Sequence, residues 1–162
     1  MRVRRGGTAA VIVLLLGSSL LASQAAHAAG LDMFTIAQCR AVDTRNSSVQ
    51  AIPANGSSSF KIVGTLGNQG GQSACGIPVG AKAVFLNVLA ISVSAAGYLS
   101  VYPYGGAIPV TSTLNFAAKQ TIANGAMISL CDPTVTSCPS DLTVKMGPAA
   151  AYVVIDVTGY AQ

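Results

Sequence analysis

Lys82 to Gly105 reads KAVFLNVLAISVSAAGYLSVYPYG, a long strand, a small-residue turn and a second strand. In the first strand Ala83, Phe85, Leu89, Ile91 and Val93 share one parity, and Val84, Leu86, Val88 and Ala90 share the other. Side chains alternate faces along a strand, so apolar residues on both parities predict burial on both faces. In the second strand Leu99, Val101 and Pro103 take one face, while Tyr98, Ser100, Tyr102 and Tyr104 take the opposite one. The pattern predicts a core hairpin with one amphipathic arm.

The rest of the chain carries the same signature. Leu31 to Arg45 predicts an opening strand, with Cys39, Ala41 and Asp43 on one parity and Arg40, Val42 and Thr44 on the other. Asn46 to Ser59 is rich in turn-forming residues and reads as a long surface loop. Phe60 to Leu66 reads as a second strand, and Gly67 to Gly71 as a mobile connection. Further strands are expected at Val110–Ala117, within Gln120–Cys131, at Leu142–Met146 and at Ala151–Gly159. Helix is conceivable over Ala117–Ala126, but Thr121, Ile122, Asn124 and Gly125 weaken it. Eight to ten short strands separated by Gly, Pro and Asn turns predict an all-β, single-domain antiparallel β-sandwich.

At the amino terminus, Arg2, Arg4 and Arg5 precede an apolar run from Ala9 to Leu21, followed by Ala26-His27-Ala28. That order predicts a signal peptide over residues 1–28, cleaved near Ala28, and a secreted domain over 29–162. The apolar run is too short to span a bilayer comfortably, so no membrane insertion is expected after processing. The expected location is extracellular or at the bacterial cell surface.

The formal charge of the whole chain is +4. Three of its nine basic residues sit in the leader, which leaves six basic residues against five aspartates. No clustered basic surface remains to neutralise phosphates, so nucleic acid is not an expected partner. The only histidine, His27, lies in the leader, and the chain contains no Trp and no Glu. Nucleophilic devices that shuttle protons through imidazole are therefore excluded beyond residue 28. Zinc sites draw on His or closely spaced Cys pairs, and the four cysteines show no CxxC spacing. No metal, no cofactor and no enzymatic activity are expected. A hydrolase would need a pair of aspartates to activate water, and five scattered aspartates form no motif.

Four cysteines in an exported chain read as two disulfides, with three pairings open. The favoured pairing is Cys39–Cys75 and Cys131–Cys138, the second stapling a short turn. On chain-entropy grounds the long loop contributes about 3–4 kcal/mol and the short one roughly 2–3 kcal/mol.

Several segments resemble, in order, the pattern of a bacterial domain family. Cys39-Arg40-Ala41-Val42-Asp43-Thr44-Arg45-Asn46 resembles CRVVDTRN, and Ser73 to Ala83 resembles SSCGIPxxAKA. Leu86-Asn87-Val88 and Gly97 to Pro103 resemble LNVT…GYLTVYP. Ser112 to Phe116 resembles STLNF, and Ile155 to Tyr160 resembles LDVxGYF. The chain departs from the pattern at Leu89, where Thr is expected, and at Ala161, where Phe is expected. The family recurs in exported and cell-surface proteins, alone or beside other extracellular modules. The resemblance implies an exported, modular, disulfide-bearing domain and assigns no biochemical activity. It also supports pairing Cys39 with Cys75, since both fall inside resembling segments.

Two groups of residues are candidates for function. Tyr98, Tyr102 and Tyr104 on one strand face would form an aromatic platform able to stack on sugar rings. The competing expectation is that these rings pack against the second sheet. Asp43, Arg45 and Asp156 form a polar set, because a buried carboxylate needs a partner. An ion pair or turn-amide bonds are expected there, and calcium held by either aspartate with carbonyl oxygens is the sharper alternative. The expected role is a structural or adhesion-type module contacting extracellular polysaccharide or surface proteins. A lectin-like domain using the tyrosines is the first alternative, and an Asp-based hydrolase the second.

Overall fold

A computed structural model describes residues 30–162; the expected signal peptide lies outside the described residues. Its centre is the last strand. Tyr152–Ala161 runs between two antiparallel neighbours, and Val153, Val154, Ile155 and Val157 are fully buried. A β-branched run of this kind suits a strand covered on both sides. Numbered in chain order, the strands are β1 (Met33–Asp43), β2 (Ser57–Phe60), β3 (Ala83–Ile91) and β4 (Gly97–Pro103). They continue as β5 (Leu114–Phe116), β6 (Ile122–Ser129), β7 (Leu142–Met146) and β8 (Tyr152–Ala161). One sheet has the order β1-β8-β3-β6 and the other β2-β7-β4-β5, with every pairing antiparallel. The two sheets pack as a sandwich around one cluster that includes Val84, Val88, Leu99, Val144, Val153 and Ile155. The all-β expectation holds, and both disulfides form as favoured, Cys39–Cys75 and Cys131–Cys138.

The core hairpin does not form. β3 pairs with β8 on one side and β6 on the other, while β4 lies in the opposite sheet between β7 and β5. Both hydrogen-bonding edges of β3 are thus occupied, and residues 92–96 arch across the sandwich instead of folding back. Ser92 takes a left-handed φ of 52° in that arch, and Ser94 is tied to Ala150 by bonds through its N–H and its Oγ, each 3.0 Å. Burial on both faces of β3 is also only half correct. Val84, Leu86, Val88 and Ala90 are buried, but Phe85, Asn87, Leu89 and Ile91 lie half-exposed on the outside of the sheet.

Other boundaries shift for local reasons. β2 stops at Phe60 because the N–H groups of Ile62 and Val63 turn to the Asp141 carboxylate, at 2.6 and 2.9 Å. β5 keeps only three residues of the expected Val110–Ala117 strand, and Val110 is fully exposed. Ile122–Ser129 is strand, so the weak helical composition before it is overridden. The expected surface loop after β1 is anchored at Ile52, which is buried and exchanges two backbone bonds with Ala151.

The glycine-rich segment is docked rather than free. Asp43 N–H donates to Gln69 O at 2.9 Å, and Gln72 N–H donates to Arg40 O at 2.8 Å. Gly70 sits at φ +80°, where a Cβ would lie 2.0 Å from Asp43 O. A side chain there must push the segment off β1. Gly67 also has a left-handed φ, but open space surrounds it. We expect Gly70→Ala to lower stability by about 2–4 kcal/mol, combining backbone strain with the lost docking bonds. Gly67→Ala should cost only about 1 kcal/mol. Denaturant titration of the two variants checks the difference, and equal losses would contradict the docking.

Candidate functional site

The outer face of the second sheet is built by alternation along β4. Leu99 and Val101 enter the core, which puts Tyr98, Ser100 and Tyr102 on the opposite face, where Ser100 is itself covered. Cross-strand register sets their neighbours: Asn115 opposite Tyr98, Lys145 opposite Ser100 and Thr143 opposite Tyr102. β2 adds Ser57 and Ser59 to the same face, and the Ser59 and Thr143 hydroxyls lie 3.0 Å apart. Ser100 Oγ donates to Thr111 O at 2.8 Å, and Lys145 Nζ donates to Asn55 O. The result is a hydroxyl-rich face bearing aromatic rings.

Tyr98 is the most open of the three tyrosines, at 44% exposure. Its ring lies over Gly147, where a Cβ would stand 2.7 Å from the ring. Gly147 N–H donates to Tyr98 O at 2.8 Å, so backbone and ring are fixed together. Tyr102 is half-buried, about 13 Å further along at the usual strand rise. Tyr104, also half-buried, sits in the turn after β4, where its N–H donates to Asp141 O at 3.1 Å. Two of the three expected tyrosines therefore share the strand face, and the third leaves it. Packing against the opposing sheet does not occur for Tyr98 or Tyr102, because their own strand turns them away from the core.

The polar set is an ion-pair network with one member that parity concealed. Asp43, 1% exposed, accepts from Arg45 Nε at 2.8 Å and Arg45 NH2 at 2.6 Å, and also from Arg45 N–H at 3.2 Å. Asp156 accepts from Arg40 Nε at 2.8 Å and Arg40 NH2 at 3.2 Å. Arg40 NH1 also stands 3.6 Å from Asp43, which links the two pairs. Strict alternation places Arg40 opposite Asp43, so parity alone does not bring Arg40 into the set. The hydrogen bonds from Arg45 hold the Asp43 carboxyl below its ordinary range, and those to Asp156 raise the Arg40 guanidinium. Both aspartates are thus bound to guanidinium groups. Among the described residues, no three His, Cys, Asp or Glu side chains converge as metal ligands would.

At one end of the sandwich a cavity of about 670 Å³ opens beside the Cys131–Cys138 loop. Val63, Val79, Leu130 and Pro133 give it apolar walls, with Lys61 and Lys82 on its lining. Asp141 also lines it, but its carboxylate is taken by Ile62 and Val63 N–H. Asp132 accepts from Thr134 N–H at 2.9 Å and Thr134 Oγ1 at 2.7 Å, which holds it below the ordinary carboxylate range. Asp141 was not distinguishable in the sequence, because its partners lie almost eighty residues upstream.

The Asp43 cluster carries a pH dependence. Its folded-state pKa is depressed, so the unfolded chain binds more protons between the folded and unfolded values. The stabilisation is complete above the unfolded value near 4 and is lost as pH falls through the folded one. Asp43→Asn should lower stability at pH 7 by about 2–3 kcal/mol and flatten this acid limb. Chemical denaturation from pH 2 to 7 checks it; an unchanged acid limb would show the carboxylate to be energetically idle. Compared with known proteins, the chain matches no family model, no curated protein and no solved structure.

Proposed function

We propose that this chain is a non-catalytic, exported module of the bacterial surface, serving attachment or structure. One observation carries the reading: four of the five aspartates are committed to holding the fold. Asp43 and Asp156 bind guanidinium groups, Asp141 caps two backbone N–H groups, and Asp132 closes its own turn. A hydrolase would instead need a carboxylate free to activate water. Two disulfides suit an oxidising compartment, and among the described residues no helix is long and apolar enough to cross a membrane. The leader-like residues 1–28 and the ordered similarity to an exported surface domain support the same location.

The outer face of the second sheet favours a more specific reading, a carbohydrate-binding role. Tyr98 presents an open ring, and the exposed hydroxyls of Ser57 and Ser59 stand on the same face. Rings stack on the apolar side of a sugar while hydroxyls bond its edge. Polysaccharide is accordingly the favoured partner, bound by Tyr98 and Tyr102 with Tyr104 at the margin.

Retention of the oxidised protein on insoluble polysaccharides and cell-wall material tests both levels. Tyr98→Ala/Tyr102→Ala/Tyr104→Ala, verified as folded, should lose retention at least tenfold, matching the stacking free energy of one or two rings. If the parent protein passes through every matrix, the carbohydrate reading fails and attachment must go through protein contacts. Turnover of any polysaccharide by the parent protein would overturn the non-catalytic reading itself.

A further inference from the structure

Four strands end the two sheets. β1 is covered only over Arg40–Asp43 by the docked segment around Gly70, and a register shift between Thr35 and Cys39 leaves just the short stretch Met33–Thr35 regularly paired before it. β2 and β5 are four and three residues long. Short or covered edges offer little for another chain to pair with. β6 is different. It is eight residues long, reads IANGAMIS, and carries neither charge nor proline. Ala123, Asn124, Gly125, Met127 and Ser129 are exposed, and open space surrounds Gly125. An uncharged, exposed edge of this length is the kind that folded proteins normally blunt.

The ladder shows which backbone groups are free. Leu130 N–H donates to Lys82 O, and β6 pairs residue for residue with β3 from Ala83↔Ser129 to Ala90↔Ile122. At β8, Val153 turns both its N–H and its C=O to Thr44 on the β1 side. Alternation across an antiparallel sheet then directs Ile122, Asn124, Ala126 and Ile128 toward β3. Ala123, Gly125, Met127 and Ser129 point their N–H and C=O groups outward. None of the loop and turn backbone bonds among the described residues engages those four.

We propose that this edge is a self-association surface: β6 pairs antiparallel with β6 of a second copy, making one continuous eight-stranded sheet. The register centred on Ala126 uses all four outward residues, setting Gly125 of one copy against Met127 of the other and Ala123 against Ser129. Glycine opposite methionine leaves room for the larger side chain. Charge selects both the partner and the direction. β6 is bracketed by exposed Lys119 before it and exposed Asp132 after it. An antiparallel twofold brings Lys119 of each copy toward Asp132 of the other, whereas a parallel pairing would set like charges together. A closed twofold with one self-complementary strand is the commonest form of association between identical chains. The inference rests on the edge alone and is independent of the carbohydrate reading.

Sedimentation equilibrium of the oxidised protein tests it. A reversible dimer is expected, with dissociation complete only at low concentration. Ala123→Pro removes an outward N–H without touching the β3 ladder, and Met127→Lys places a charge on the edge. Each should weaken the dimer at least tenfold while the melting transition of the monomer stays intact. Lys119→Asp should weaken it as well, because it sets like charges against exposed Asp132 of the other copy. A monomer at every concentration up to about 1 mM, the weak end of specific association, overturns the proposal. So does a dimer indifferent to Ala123→Pro, Met127→Lys and Lys119→Asp.

Discussion

One extra residue in β1 decides which way its charges face. Opposite β8, Arg40 pairs with Asp156 and Val42 with Ile155, which leaves Ala41 without a partner of its own. A bulge of this kind inverts the alternation beyond it. Cys39 and Val42 consequently both enter the core, while Arg40 and Asp43 share the sheet face that carries Asp156, Asp43 buried there against Arg45. Arg40 can then bridge two aspartates, and Cys39 can reach Cys75 from the inside. The glycine segment settles on the same stretch, where a Cβ on Gly71 would lie 2.3 Å from Arg40 O. Core packing, the ion network, the long disulfide and the covered edge all converge on residues 39–43. Losing the bulge would reverse the inward and outward residues of everything on one side of it.

The parts of the fold that could be read in the sequence are those set by local composition. β7 spans the residues expected of it, and β8 is carried by its Val and Ile run. The strand at Lys82 and the one at Tyr98 were both visible, but parity reports faces and not neighbours. Whether two successive strands form a hairpin or an arch depends on what occupies their edges. For β3 one occupant is β8, about sixty residues downstream, so the arch could not be read locally. Arg40 was hidden by the bulge, since an inserted residue leaves no compositional trace. Gly67 to Gly71 departs from its expected mobility for the opposite reason: a glycine-rich string signals freedom, yet the missing side chains at Gly70 and Gly71 are what allow backbone to press on backbone.

The tyrosine face shows the same division. Tyr98 and Tyr102 fell where alternation put them, because Leu99 and Val101 are fixed in the core. Tyr104 left the face when β4 ended at Pro103. The seat of the Tyr98 ring was set elsewhere, by Gly147 after the neighbouring strand, and no reading of β4 alone could supply it. A chain with so few charges has little with which to decorate its surface, and most of its carboxylates are turned inward on backbone or guanidinium groups. Contacts with other molecules are left to hydroxyls, rings and backbone edges.

That division has a geometric consequence. The tyrosines occupy the outer face of the second sheet, whereas β6 is an edge of the first. Pairing through β6 would therefore cover neither copy's tyrosine face. In an antiparallel edge-to-edge pair the twofold axis stands perpendicular to the joined sheet, because residues facing each other across the pair must share a face. Both second sheets then lie on the same side of that joined layer, and both tyrosine faces look the same way. On the proposed pairing, two weak platforms facing one direction would bind a polymer with an effective concentration that neither has alone. A face with one open ring would be a modest site by itself and a more useful one when repeated over a repeating ligand. The proposed edge and the proposed sugar face would thus be complementary, although each stands on separate residues.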